Sequence, residues 1–197
     1  MISILKPGKN PALPSSFRPI SLLDTNRKLF EKTLLVRILH EVSERGMMRD
    51  EQFGFRPKHS TSLQLARLVE RITRNVSEKR LTVDVSLDVA KALNTVWIDC
   101  LIYKLTLLNF PSYIVHTISS YLRGRTFEGS FQTATSSRRG MRAVVVQGGL
   151  ISPVLFSVFV NDMTPTSCHI EFALYLDDTC IIFTTCKPTL LFSYLES

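Results

Sequence analysis

Two short apolar runs, residues 170–176 and 180–185, lie so close together that they constrain the fold more than any other part of the chain. Both are rich in β-branched and aromatic residues and read as strands. Joined at Asp177-Asp178, they read as one antiparallel hairpin with two carboxylates at its tip. A third segment, residues 81–89, alternates without a break. Leu81, Val83, Val85, Leu87 and Val89 face one way, and Thr82, Asp84, Ser86 and Asp88 the other. That is a half-buried strand with its acids on one face.

Helical patterns fill most of the rest. The first 23 residues are extended and punctuated by Pro7, Pro11, Pro14 and Pro19. Phe30, Leu34, Ile38 and Val42 predict a helix over 26–45, with Gly46 as its stop. Residues 51–58 read as a loop. Thr61 with Gln64 forms a capping box for a second helix, with Leu65, Leu68, Ile72 and Val76 as its apolar face. Trp97, Leu101, Leu105 and Leu108 predict a third, with Trp97 in the core. Pro111 opens a fourth that runs to Leu122. Residues 126–146 read as strand, loop, strand, and 152–163 as an apolar helix with Pro153 in its first turn. The pattern is α+β with hairpins rather than a doubly wound α/β sheet.

Composition removes several classes. With 197 residues, 45% of them hydrophobic and 21% charged, the chain has enough material for one domain with a core. No apolar run reaches the length of a membrane span, and the start at Pro7-Gly8-Lys9 is not a secretory signal. Four cysteines without a C-x-x-C pair give neither a zinc signature nor a disulfide framework, so reduced intracellular thiols are expected, with Cys180 and Cys186 buried. The histidines show no ligand spacing. The net charge of +7 is unevenly spread: sixteen basic against eight acidic residues up to Arg80, and eight against nine beyond it. A basic first half suits a polyanion such as nucleic acid; a solvated basic surface has the same signature.

The chemistry concentrates at the acids. Adjacent carboxylates between apolar strands repel, and a divalent cation relieves that repulsion through the oxygen ligands Mg²⁺ prefers. With Asp88 as the third acid, carboxylates from two neighbouring strands would hold a pair of metals able to activate a 3′-hydroxyl and stabilise a leaving pyrophosphate. Taken singly, each feature has an ordinary explanation: Asp is common in hairpin turns, and Asp88 merely ends a strand.

Further motifs stand in a fixed order along the chain. Ile4-Leu5-Lys6-Pro7-Gly8-Lys9 is followed by Phe17-Arg18-Pro19-Ile20-Ser21-Leu22-Leu23, then by Gln52-Phe53-Gly54-Phe55-Arg56-Pro57 and His59-Ser60-Thr61. Leu87-Asp88-Val89-Ala90-Lys91-Ala92 with Val96-Trp97 comes next, then Gln147-Gly148 with Ser152-Pro153 and Leu155-Phe156, and finally Tyr175-Leu176-Asp177-Asp178. This order resembles the fingers and palm of a reverse transcriptase, and more specifically the RNA-directed DNA polymerase of non-LTR (LINE-type) retrotransposons of the jockey kind. The resemblance runs from the first residue to about residue 185.

The resemblance implies a right-hand polymerase fold, with fingers over about 1–80 and mainly palm over about 81–197. It implies Asp88, Asp177 and Asp178 as catalytic metal ligands, with the Val89 carbonyl as an extra ligand, for two Mg²⁺ ions or Mn²⁺ in their place. It places Arg18, Lys91, Leu93, Gln147 and Gly148 at the nucleotide and template; Arg18 reads equally as a surface charge beside Pro19. Implied partners are an RNA template, a DNA primer and deoxynucleoside triphosphates, with no membrane, in the nucleus and cytoplasm.

Five positions depart from the family pattern. Leu93 replaces the aromatic that blocks a 2′-hydroxyl, Asn94 replaces an Asp, Val144 and Val146 stand where Gly and Pro precede Gln147, and Leu176 is bulkier than the common Ala. Because the chain begins inside the first motif and stops soon after the hairpin, the expectation is a truncated copy without thumb or upstream endonuclease, weakly active or inactive. The competing expectation is a non-catalytic nucleic-acid-binding remnant. Arg123, Arg125, Arg138, Arg139 and Arg142 form a second basic group, readable as phosphate contacts or as solvated loop charge.

Overall fold

The computed structural model describes residues 1–54, 56, 58–88, 92–131, 133–141, 148–176 and 178–186, and only the backbone of Asp88, Leu93 and Asn94. Val89, Lys91, Val144, Val146, Gln147 and Asp177 lie outside the described residues.

Along the chain come β1 (Ile2–Leu5), a 3-10 turn (Pro14–Ser16), β2 (Phe17–Ile20), α1 (Thr25–Glu44), α2 (Thr61–Ser77) and β3 (Leu81–Asp88). They are followed by α3 (Ala92–Thr95), α4 (Ile98–Leu107), α5 (Ser112–Leu122) and the two-residue strands β4 (Thr126–Phe127), β5 (Ser130–Phe131), β6 (Ala134–Thr135) and β7 (Arg139–Gly140). α6 (Ser152–Phe159), β8 (Ile170–Tyr175) and β9 (Asp178–Thr185) complete the described elements. Helices and mainly antiparallel sheets are mixed, with one parallel pair, β1 with β5, consistent with α+β.

These elements group into two compact units, each drawn from two stretches of chain: Met1–Met47 with Lys91–Phe159, and Met48–Ala90 with Val160–Ser197. In the first unit, α4 packs on α5 and α6, and α1 on α5. Leu34, Ile38, Val42, Leu101, Leu105, Ile114 and Ile118 are among its buried side chains. Asp24 caps α1 by accepting from the Arg27 amide at 2.7 Å. A four-stranded sheet, ordered β2-β1-β5-β6, and the β4-β7 ribbon belong to the same unit.

The second unit is a three-stranded antiparallel sheet, ordered β3-β9-β8, with α2 across one face. The register is unbroken from Leu81↔Thr185 to Asp88↔Asp178, and from Ile170↔Phe183 to Tyr175↔Asp178. Period-two alternation excludes any one-residue slip from this register, which would turn the helix-covered side chains to the other face.

Four expectations are corrected. α2 turns a mixed stripe inward: Gln64 and Asn75 are buried and Leu68 and Ile72 half-buried, while Leu65 and Val76 are exposed. Asn75, 1% exposed, donates to the hydroxyls of Thr82 (2.9 Å) and Thr184 (3.0 Å), and Arg71 pairs with Glu171. The sheet face beneath the helix is polar, so the helix face that carries matching donors turns towards it. Ser60, not Thr61, is the N-cap, accepting from the Leu63 amide at 3.2 Å, which frees Gln64 to turn inward. Trp97 is not core. It sits at the N-cap of α4, where the helical spacing has not begun, and is 65% exposed. Cys186, just past the end of β9, is likewise exposed rather than buried, and all four cysteines are free thiols. Among the described residues, no helix is long and apolar enough to cross a membrane.

Candidate active site

β8 and β9 are joined by Leu176 and Asp177 alone, because Tyr175 and Asp178 are already paired. Two-residue hairpin loops need left-handed backbone, and Leu176 supplies it, with φ 60° in a residue that disfavours it. On the other side of β9, Asp88 and Asp178 share the last rung of the β3–β9 ladder. β3 and β9 therefore end on one aspartate each, beside Tyr175 of β8, with Asp177 next to Asp178 in the chain. Asp178 is exposed, and among the described residues no cation pairs with it. Four residues back from Asp88, Asp84 is occupied: it accepts from the Cys180 thiol at 2.6 Å. Burial and this bond together push the Cys180 thiol up to about 12. A cavity of about 380 Å³ opens beside the rung, lined mainly by apolar groups, with Leu65 and Leu68 on α2, Leu87 on β3, and Tyr175 and Asp178 at the hairpin.

The hairpin turn is held from outside the sheet. Residues 51–53 run parallel to the end of β8, with Leu174 N–H donating to Glu51 O (3.0 Å) and Phe53 N–H to Leu174 O (2.9 Å). Gln52, 1% exposed, uses its side-chain oxygen to accept from Gly54 N–H (2.9 Å) and from Leu176 N–H (3.2 Å). Gly54 packs so closely that a Cβ there would lie 2.6 Å from the Leu176 nitrogen. The segment is anchored in turn. Arg49 grips Glu51 with two bonds of 3.1 Å and donates to Met163 O, while Gln64 donates to Glu51 O. The Arg49 bond holds the Glu51 carboxyl below the usual carboxylate range.

In the first unit, Gly148 sits against the end of β2. Its φ of 105° and the 2.9 Å from an added Cβ to Ser21 O leave room only for glycine. Two residues on, Leu150 N–H donates to Glu31, a buried carboxylate on α1 that also accepts from the Tyr121 hydroxyl. Arg125 is buried beside them, 5.0 Å over the Tyr121 ring, and burial lowers its pKa. Arg18 is exposed on β2, paired through its backbone with Ile4.

A family described as "Reverse transcriptase (RNA-dependent DNA polymerase)" matches residues 4–192. This chain belongs to that family.

Among curated relatives, it is 36% identical over 192 residues to the probable RNA-directed DNA polymerase from transposon BS of Drosophila melanogaster, covering 94% of this chain and 21% of that one. It is also 36% identical over 189 residues to the RNA-directed DNA polymerase from mobile element jockey of the same organism, covering 92% and 20%. This reverse transcriptase domain thus spans about a fifth of the length of the curated relatives it matches. A solved structure of apo telomerase from Candida Tropicalis, truncated from its C-terminal domain, superposes with a TM-score of 0.57 at 10% identity, over 86% of this chain and 36% of that one. The likeness is one of fold.

Set on the reverse transcriptase framework, the expected site residues fall into both units. Asp88 and Asp178 meet on one rung of the second; Arg18 and Gly148 lie in the first, as does the backbone of Leu93 in α3. Much of the second basic group is already engaged, with Arg123 paired to Asp99, Arg138 to Glu128, and Arg125 buried. Glu31 was not singled out from the sequence, Gln64 was read as a capping-box residue, and Gln52 only as part of the Gln52-Phe53-Gly54-Phe55-Arg56-Pro57 motif. A buried amide or carboxylate carries no hydropathy signal, and the one cue was Gly54, a glycine between two phenylalanines.

Proposed function

We propose that this chain carries the nucleotide-adding centre of a non-LTR-type reverse transcriptase, with Asp88, Asp177 and Asp178 as its metal-binding carboxylates. The observation that carries this is the shared rung of Asp88 and Asp178 at a hairpin whose short loop contains Asp177. Reverse transcriptases use divalent metal ions. The residue set here suits a hard cation: aspartates at adjacent and paired positions of the sequence and the ladder, with Asp178 free of a basic partner among the described residues. Two Mg²⁺ ions, or Mn²⁺ in their place, would supply activation of a primer 3′-hydroxyl and charge stabilisation of the departing pyrophosphate. The Val89 carbonyl is the natural additional ligand.

The chain's own residues do the positioning. Arg18, exposed on β2, offers a guanidinium to phosphate of template or incoming deoxynucleotide. Gln147 and Gly148 would pack against the nascent base pair, and Lys91 would offer a cation to the nucleotide. Leu93, smaller and more flexible than an aromatic, weakens exclusion of a 2′-hydroxyl. The substrates are an RNA template, a DNA primer and deoxynucleoside triphosphates, in the nucleus or cytoplasm.

Primer extension on an RNA template in Mg²⁺ or Mn²⁺ tests this. Extension that Asp177→Asn and Asp88→Asn each abolish is expected, and equal extension by either variant would refute the assignment. The exposed Lys9 and Arg18 favour a second reading, a non-catalytic nucleic-acid-binding remnant. Salt-sensitive template binding without any incorporation would establish it.

A further inference from the structure

We infer that Gln52 is a positioning residue for the catalytic hairpin: its side-chain oxygen holds Leu176 in left-handed backbone and so sets the direction in which the chain enters Asp177. The consequence for metal binding rests on the proposed function; the clamp itself does not.

Four observations converge. Leu176 has φ 60°, a value L-residues with bulky side chains adopt at a cost unless their surroundings impose it. Its amide lies beyond the last paired rung, Tyr175↔Asp178, so the ladder offers it no acceptor. Gln52 provides one at 3.2 Å and is itself fixed by the 2.9 Å bond from Gly54 N–H. Only the acceptor half of the amide is in use: its Nε2 is buried and makes no hydrogen bond. A buried glutamine whose oxygen serves two backbone amides and whose nitrogen serves none is there as an acceptor.

The anchoring explains why this acceptor can act on the turn. Glu51 and Phe53 bond to Leu174 on either side of Gln52, and Arg56 donates to Arg49 O (2.6 Å) and Gln52 O (3.3 Å). A side chain so short of freedom transmits its position to the amide it holds. Gly54 completes the device by leaving space; a Cβ there would enter the volume of the Leu176 amide.

The test uses Gln52→Leu, which keeps bulk and removes the acceptor, and the double variant Gln52→Leu/Leu176→Gly, since glycine reaches left-handed backbone unaided. Amide hydrogen exchange and Mn²⁺ affinity are both read. In the wild type the Leu176 amide should be protected although it has no strand partner. In Gln52→Leu its exchange should accelerate about tenfold, the loss expected of one hydrogen bond, while the β3–β9 ladder amides hold. Mn²⁺ should bind about tenfold more weakly to Gln52→Leu if the turn's geometry sets the site, and the double variant should recover most of that loss. Recovery is what a merely packing role for Gln52 would not produce. An unprotected Leu176 amide in the wild type overturns the clamp even if Gln52→Leu does not fold. Unchanged exchange in Gln52→Leu, or lost Mn²⁺ affinity without recovery in the double variant, overturns it as well. If the wild type binds no Mn²⁺ while the exchange effects appear, the clamp stands and the metal-site reading falls.

Discussion

Replacing Gly54 with alanine gives a prediction whose sign is decided by a single distance. Gly54 is not in left-handed backbone, so on conformational grounds alone an alanine there would stabilise by about 0.4–1 kcal/mol through the unfolded chain. The space says otherwise. The new Cβ would stand 2.6 Å from the Leu176 nitrogen, 2.9 Å from its Cγ and 3.0 Å from the Gln52 oxygen. Ordinary contact begins near 3.4 Å, so backbone must move by about 0.8 Å, and both hydrogen bonds to that oxygen lie in the path. Overpacking of this kind costs about 1–3 kcal/mol, and the two bonds add about 0.5–1.5 kcal/mol each. After the chain-entropy gain, Gly54→Ala should destabilise by about 2–5 kcal/mol, a large share of the roughly 5–15 kcal/mol a domain has. Urea unfolding followed by circular dichroism measures it, as a fall in midpoint at unchanged slope. A variant as stable as the parent, or more so, would show that the turn yields freely and that the close packing of residues 52–54 on Leu176 carries no constraint.

Two further outcomes follow from groups away from the hairpin. Glu31→Ala leaves Leu150 N–H and the Tyr121 hydroxyl without their acceptor, so it should cost about 2–4 kcal/mol; a thermal melt shifted by less than a degree would contradict this. Cys180, its thiol pushed up to about 12, should alkylate far more slowly at pH 8 than the exposed Cys168. Because the folded pKa lies above the ordinary 9.0, its contribution to stability is complete below about pH 9 and disappears as pH rises towards 12; equal labelling rates, read by peptide mass spectrometry, would sink this.

The strand–hairpin end of the fold was legible because period-two patterns depend on nothing outside the strand. Residues 81–88 appear where the alternation puts them, and 170–175 and 178–185 almost where the two apolar runs do. Helices α1 and α5 were equally readable, and α4 was readable from Leu101 and Leu105 although not from Trp97. α6 is shorter than its apolar run, since apolar character continues into the turn at Val160. The face of α2 was not legible. Its apolar stripe obeys helical spacing, yet the sheet beneath it presents Thr82, Thr184 and Glu171, and hydrogen bonding decided which side went down. Periodicity describes one surface at a time and says nothing about the partner. The site divides in the same way. The aspartates announce themselves as charges between apolar strands, whereas Gln52 and Glu31 act through the backbone of residues distant in sequence.

The shared rung of Asp88 and Asp178 has a genetic corollary. Substitutions along β3 change one side chain each. Losing or gaining a single codon between Arg80 and Asp88 shifts every later residue by one rung, places a valine or a leucine opposite Asp178, and turns the strand's faces over. The stretch should therefore accept many spelling changes and almost no change of length, with Asp88 kept at the rung by the count of residues before it as much as by its own identity.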